Sequence, residues 1–203
     1  MAEKPNANGG FRRHREDPSG LSMAIEQCSQ GNADAFGLIY DSYVNRVFKY
    51  TLHMCGNGSE AEDMTEEVFV KAWQSLPSFR GGEGALGTWL MRIAHNHVVD
   101  ALRRRRNDTI PLPVFEGEIA SDATDNPQST AERRLLGRQV LQLMAELPQQ
   151  QRQVMVLKFV HGLDTHEVSE ITGQKDGTIR IAQMRALQAL RSRLSGPEVA
   201  YAG

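Results

Sequence analysis

Residues 88–106 read TWLMRIAHNHVVDALRRRR, and the helix they predict decides how the rest of the 203-residue chain is organised. Leu90, Ile93, Ala94, His97, Val98 and Ala101 recur at three- and four-residue spacing, so one stripe packs while Arg92, Asn96, Asp100 and Arg103 line another. Trp89 stands in the first turn, where an indole near a surface serves as a stacking platform. Four consecutive arginines, Arg103, Arg104, Arg105 and Arg106, close the helix. A helix C-terminus favours one or two cations, but four crowd like charge and call for a polyanion, read here as DNA.

Just upstream, Pro77 to Gly87 (PSFRGGEGALG) reads as a glycine-rich loop. It lacks GxxxxGK[ST] and GxGxxG and follows no strand, which argues against nucleotide hydrolysis. Beside Trp89 and Asn96 the loop, with Phe79 and Arg80, suits a pocket for a base drawn out of the stack. His95 and His97 look like metal ligands until the helix is drawn, because two residues apart their imidazoles point about 200° from one another.

Further back, SEAEDMTEEVFVKAWQSL predicts a helix from about Ser59 to Leu76, opened by a Ser59/Glu62 capping box. Met64, Val68, Ala72 and Trp73 form its buried side, and Glu60, Asp63, Glu66 and Glu67 lie outside. Acid in the first turn complements the helix dipole, but here it runs into a second turn and suggests a basic protein partner. An earlier helix carries Phe36, Ile39, Tyr40, Tyr43, Val47 and Tyr50 as core, with Asn32 as N-cap and a break at Gly56–Gly58. A short helix with Leu21, Ile25 and Cys28 stops near Gly31, and residues 1–20 read as a mobile tail.

Downstream, residues 107–129 lose periodicity and carry prolines at 111, 113 and 127, so they read as an acidic linker. Ser129 with Glu132 starts a second unit whose helix holds Leu136, Val140, Leu143, Met144 and Leu147 and ends at Pro148. Val154, Leu157 and Val160 mark the next helix, closed by Gly162. Asp164 and Glu167 cap a short helix with Val168 and Ile171, Gly173 turns the chain, and Asp176–Leu194 is a longer basic helix. That is a helix-turn-helix layout, whose second helix meets base edges in the major groove. Lys175, Thr178, Arg180, Gln183 and Arg185 fall where contacts are made.

Charge supports this division. The net charge of −2 is unremarkable, but residues 1–102 hold 9 Lys/Arg against 13 Asp/Glu and residues 107–130 hold none against 5. Residues 131–194 hold 10 against 6, so protein-facing and nucleic-acid-facing surfaces are segregated. Two cysteines, Cys28 and Cys55, lack CxxC spacing and read as buried free thiols. No apolar run is long enough to span a bilayer and no signal peptide is evident, so a cytoplasmic protein without membrane insertion is expected. No nucleophile–base pair, metal cluster or cofactor motif stands at usable spacing, so neither catalysis nor a cofactor is expected.

Together these motifs resemble the extracytoplasmic-function (ECF) subfamily of bacterial sigma-70 RNA polymerase sigma factors. AEDMTEEVFVKAW is similar to the family's polymerase-binding helix and TWLMRIAHNHVVDALRRRR to its promoter-melting and −10-reading helix. LPQQQRQVMVLKFVHGLDTHEVSEITG, followed by GTIR, is similar to its −35-reading domain. The resemblance implies an all-α protein with a region 2 domain over 21–106 and a region 4 helix-turn-helix domain over 130–195, with a C-terminal tail over 196–203. It implies a non-enzymatic subunit that binds core RNA polymerase through the β′ clamp helices and the β subunit and directs initiation at promoter DNA. An anti-sigma factor would hold it inactive until a stress signal. Glu60, Asp63, Glu66 and Glu67 would face polymerase. The loop from Phe79, with Arg80, Trp89, Asn96 and Asp100, would take a flipped −10 base while Arg103–Arg106 hold phosphates. A free-standing helix-turn-helix regulator is the alternative, but it leaves the 88–106 helix and the acidic helix idle.

One departure stands out. Where the family usually reads GTV-K-S-R-L-x-R-A, this chain has Gly177-Thr178-Ile179-Arg180-Ile181-Ala182-Gln183-Met184-Arg185-Ala186. An arginine is missing at Ala182, Gln183 stands for a buried leucine, and Ile181 and Met184 bring apolar groups to the DNA-facing side. They would touch a thymine methyl or a surface masked by an anti-sigma partner, unless the helix is rotated from the family's.

Overall fold

A computed structural model describes residues 18–107, 137 and 139–194, with the side chains of 18, 19, 106 and 107 outside that description. Helix α1 (Pro18–Ser29) packs on α2 (Phe36–Cys55), which lies against α3 (Gly58–Ser75) and α4 (Glu83–Asn107). A 3-10 turn, Leu76–Ser78, joins α3 to the approach of α4. The second group comprises helix α5 over 139–145, α6 (Gln149–Met155) running into a π turn (Val156–Val160), α7 (Thr165–Thr172) and α8 (Asp176–Leu194). No strand occurs among the described residues, and the fold is all-α as expected.

The apolar stripe of α4 is where the periodicity places it, with Leu90, Ala94, His97 and Val98 buried. It is broader than expected, because Met91, His95 and Leu102 are buried too while Ile93 and Ala101 are half-buried. The helix serves two neighbours, since α2 and α3 cover one side and α7 another. In α2, Ile39, Val47 and Tyr50 are fully enclosed, but Tyr40 is exposed and lies with its ring 4.7 Å from that of Phe69. Thr51 and Thr65 join α2 to α3 through hydroxyls 3.0 Å apart, with Thr65 donating to the Ala61 carbonyl at 2.6 Å and Thr51 donating to Thr65. Two buried threonines in a helix crossing give no period in the sequence.

Several boundaries move. Asn32 does not cap α2: its side chain accepts from the Asp34 amide in a local turn, and α2 begins at Phe36 without a side-chain cap. Asn57, not Ser59, caps α3, its Oδ1 accepting from the Glu60 amide at 2.9 Å. The glycine-rich loop is shorter than expected, because α4 already starts at Glu83 and takes in Gly84 and Gly87. The first helix begins at Pro18, inside the stretch expected as tail, since proline suits a first helical turn. The helix of Val154, Leu157 and Val160 changes to a π turn at Val156.

The helix-turn-helix follows the expectation closely. Asp164 and Glu167 form a reciprocal capping box with bonds of 2.9 and 2.7 Å, a device that stabilises a helix start by about 1 kcal/mol. Gly173 ends α7 at φ +69°, a conformation that an L side chain adopts only with strain. Ile179, Ala182, Ala186 and Leu190 are the buried face of α8. Cys28 and Cys55 are buried free thiols, as expected. Residues 1–17, the linker over 108–129, the Ser129/Glu132 box, Leu136 and the tail over 196–203 lie outside the described residues.

The two groups of helices pack on each other. Helix α7 lies on α4, the π turn meets α2, and one continuous apolar core runs from Val47 and Leu90 to Ile171 and Leu190. His161 enters this junction with its ring 6.0 Å from that of Tyr50. Burial first, then the charges of Arg46, His53 and Lys49, push the His161 pKa down to about 3.

Candidate nucleic-acid interface

The approach to α4 builds a cavity of about 470 Å³. Phe79, Arg80, Gly81, Trp89 and Arg92 line it, and Glu170 of α7 completes the lining. The Phe79 and Trp89 rings pack at 4.9 Å between centroids, tilted by 44°, an arrangement that offers an aromatic surface to a base. Gly81 allows this closeness: a Cβ there would stand 2.6 Å from Phe79 Cζ and 2.9 Å from Ala85 Cβ. Arg80 is folded back, its Nη1 donating to the carbonyls of Pro77 at 2.7 Å and Phe79 at 3.2 Å. It braces the turn as well as lining the cavity. Ser22 ties α1 to the start of α4 by a bond from its hydroxyl to the Glu83 carboxylate at 3.2 Å.

Asn96 is exposed further along α4 and does not line the cavity, so the loop and Asn96 are not brought together as expected. Arg92 and Glu170 take part instead. Arg92 was legible as a member of the reading stripe, whereas Glu170 comes from a helix nearly eighty residues later and no spacing rule reaches it. About 16 Å separates Arg92 from Arg103 along the helix at 1.5 Å per residue, several nucleotides of backbone. Arg103 and Asp100 are exposed and lie 3.8 Å apart, one turn from each other. Arg104 is exposed. Arg105 differs: its Nη1 donates to both carboxylate oxygens of Glu60, at 3.1 and 2.8 Å, with both side chains largely covered. Two residues expected on separate surfaces thus bridge α3 and α4, and Glu60 is half-buried rather than outside. The side chain of Arg106 lies outside the described residues.

Asp63, Glu66 and Glu67 stand exposed on α3, joined by Glu62, which was expected only as the capping partner of Ser59. Glu67 also reaches His97, at 3.4 Å from Nε2, while Lys71 bonds Nδ1 of the same ring. Burial lowers the His97 pKa, helped by Lys71 and opposed by Glu67. His95 faces the other way, 3.1 Å from the Tyr50 hydroxyl, and burial pushes its pKa down to about 4. The two imidazoles are core pieces on opposite sides of α4. No cluster of metal-ligating side chains occurs among the described residues.

On α8, Thr178, Arg180, Ile181, Met184 and Arg185 are exposed, as is Lys175 just before it, and Gln183 is half-buried. Ile181 and Met184 remain 49% and 60% exposed, so these apolar groups are presented to the outside and not spent on the core. Ala182 is buried, which accounts for the missing arginine: a guanidinium at this position would point into the packing beneath the helix.

A basic reading helix beside an aromatic-walled cavity, with a helix-turn-helix after it, defines a helical protein that meets DNA at two places. The family model for sigma-70 region 2 matches residues 39–107 and that for sigma-70 region 4 matches residues 137–190. The ECF RNA polymerase sigma factor SigW of Bacillus subtilis is 31% identical over 183 residues, covering 86% of this chain and 96% of that protein. The ECF RNA polymerase sigma factor BldN of Streptomyces coelicolor is 31% identical over 176 residues, covering 86% of this chain and 66% of that protein. The sigma factor RpoE of Bartonella quintana, solved with the anti-sigma factor NepR, shares the fold at a TM-score of 0.63 and 20% identity, over 80% of this chain and 98% of that one. The chain belongs to the ECF RNA polymerase sigma factors, DNA-binding proteins of transcription initiation. No helix among the described residues is long and apolar enough to cross a membrane.

Proposed function

We propose that this chain binds core RNA polymerase and gives it promoter specificity by reading a −10 element with α4 and its cavity and a −35 element with α8. The observation that carries the reading is the cavity at the start of α4, where stacked Phe79 and Trp89 and the Arg92 cation combine a stacking surface with positive charge. Asp63, Glu66 and Glu67 face basic helices of the β′ clamp, and the β subunit contacts the rest of the bound factor. Arg103 and Arg104 hold phosphates of the non-template strand beyond the captured base. Arg105 serves by fixing α3 to α4, which sets the polymerase-binding and strand-reading faces in register.

The region 2 unit spans 21–106 and the region 4 unit 130–195, joined by the acidic stretch 107–129, whose charge suits the basic nucleic-acid channels of polymerase. The factor acts in the cytoplasm and performs no chemistry, since phosphodiester formation belongs to the core enzyme. The structure of RpoE with the anti-sigma factor NepR supports regulation by such a partner, released by a stress signal. Run-off transcription with purified core polymerase on genomic fragments, with start sites mapped, tests the reading. Start sites sharing −10 and −35 elements are expected. Tight, specific duplex binding by the chain alone, with no start sites, would favour a free-standing regulator.

A further inference from the structure

The cavity at the start of α4 has room for a free ligand, granted, as in the promoter reading above, that the Phe79–Trp89 surface takes a base. Its volume of about 470 Å³ falls in the range of small-molecule sites, roughly 300–1,000 Å³. Arg92 follows Trp89 by three residues, about 4.5 Å along α4 and on the same face. A base lying against the indole therefore leaves its sugar and phosphate beside the guanidinium. Thr88 contributes a hydroxyl to the same wall, at a place that suits a ribose.

Glu170 of α7 decides which base such a site prefers. An ionised carboxylate only accepts hydrogen bonds, and its two oxygens suit two donors side by side. Among the nucleobases guanine alone offers that edge, with N1–H next to the N2 amino group. Adenine and cytosine set an amino group beside a ring nitrogen that accepts, and uracil and thymine hold one N–H between two carbonyls, so each would turn a lone pair toward the negative charge. The charged neighbour of Glu170 is His166 on its own helix, 3.8 Å away with both side chains at least half exposed. That separation is beyond hydrogen-bond range and leaves the carboxylate oxygens able to accept from a ligand. Two cations in the lining, Arg80 and Arg92, outnumber the acid, so a phosphate is not repelled from the cavity as a whole.

We propose that the cavity lined by Phe79, Trp89, Arg92 and Glu170 is a binding site for a free guanine nucleotide: the base packs against the two rings, the Glu170 carboxylate accepts from N1–H and the N2 amino group, and Arg92 meets the phosphate. The aromatic surface and the cation serve any nucleotide. Guanine preference rests on Glu170 alone.

Equilibrium dialysis of labelled GMP, AMP, CMP and UMP against the full-length protein at one ionic strength tests the assignment. GMP should half-saturate the protein below about 1 mM and bind at least about tenfold more tightly than the other three, the discrimination expected of a charged acceptor that only one base satisfies. Glu170→Gln should weaken GMP by about tenfold without weakening AMP, because an amide oxygen beside an amino group matches the donor and acceptor of adenine; a merely structural role for Glu170 would lower both. Glu146→Gln, the same charge change beside Arg193, should alter neither. Gly81→Ala displaces the Phe79 ring and not the carboxylate, so it should weaken all four alike. Equal affinity for the four nucleotides, no saturation by GMP, displacement of GMP by an equal concentration of inorganic phosphate, or an unchanged preference in Glu170→Gln would each overturn the proposal. An oligothymidine strand carrying one central guanine should bind no better than oligothymidine alone; a gain as large as that of GMP over UMP would assign the edge to DNA and overturn it too. The promoter reading fails on a different readout, full open-complex formation by Phe79→Ala with core polymerase, so the two failures can be told apart.

Discussion

Replacing Gly81 by alanine separates the shape of the cavity from the stability of the fold. The added Cβ would stand 2.6 and 2.8 Å from Phe79 Cζ and Cε2 and 2.9 Å from Ala85 Cβ. Ordinary carbon contacts begin near 3.5 Å, so the ring must retreat by about 1 Å. Phe79 is half-buried at the outer end of its loop and can swing, whereas Ala85 is held in the first turn of α4. The stack on Trp89, worth about 1 kcal/mol beyond its buried area, is lost or weakened, and most of the fold is untouched. The thermal midpoint should fall by no more than a few degrees. Open-complex formation with core polymerase, followed by permanganate reactivity of unpaired thymines, should slow by about ten- to a hundredfold, because misplacing a recognition group by 1 Å costs on that order. Binding to core polymerase should not change. Wild-type opening rates from a folded Gly81→Ala protein would refute the claim that the Phe79–Trp89 surface receives a base.

Other perturbations test the remaining surfaces. Asp63→Arg with Glu66→Arg should weaken core-polymerase binding by about tenfold or more and reverse its dependence on salt, measured by fluorescence anisotropy; unchanged affinity would remove α3 as the docking face. Glu60→Gln should lower unfolding free energy by about 1 kcal/mol in urea titrations, since the bridge to Arg105 is only partly shielded, and a stability unchanged within error would mean the bridge is idle. The His95 pKa is lowered on folding to about 4, so the neutral ring's contribution is complete above the unfolded value near 6.5 and is lost as pH falls toward 4. Between pH 7 and pH 5 that amounts to about 2 kcal/mol at roughly 1.4 kcal/mol per unit; His95→Gln should flatten the urea-midpoint profile over this range, and an unaltered slope would contradict the assignment. Ile181→Ser with Met184→Ser should change the preferred −35 sequence in a selection from random duplexes, or binding to an anti-sigma partner, without altering stability, and no change in either would leave these exposed apolar groups without a role.

The parts legible in the sequence are those written by short-range physics. The capping pair Asp164 and Glu167, the turn at Gly173 and the span Asp176–Leu194 depend on hydrogen bonds and backbone preferences within a few residues, and they fall where the sequence puts them. Caps with competing candidates are less certain: Ser59 and Asn57 both suit a helix start, and the choice of Asn57 follows from where the turn after Gly56 ends. Gly84 and Gly87 read as loop because glycine is a poor helix former, yet packing of Leu86 and Leu90 holds them in α4.

What this amino-acid order determines alone is the set of helices, the apolar stripe of each, the helix-turn-helix and the placement of basic and acidic segments, because period and charge are properties of neighbours. Tertiary structure decides which charges remain available. It joins Glu60 to Arg105, buries Ala182 and brings Glu170 into a cavity built by residues 78–92. Each of these pairings spans a helix crossing, and a crossing is fixed by how whole faces interlock, a property that no local window of sequence contains.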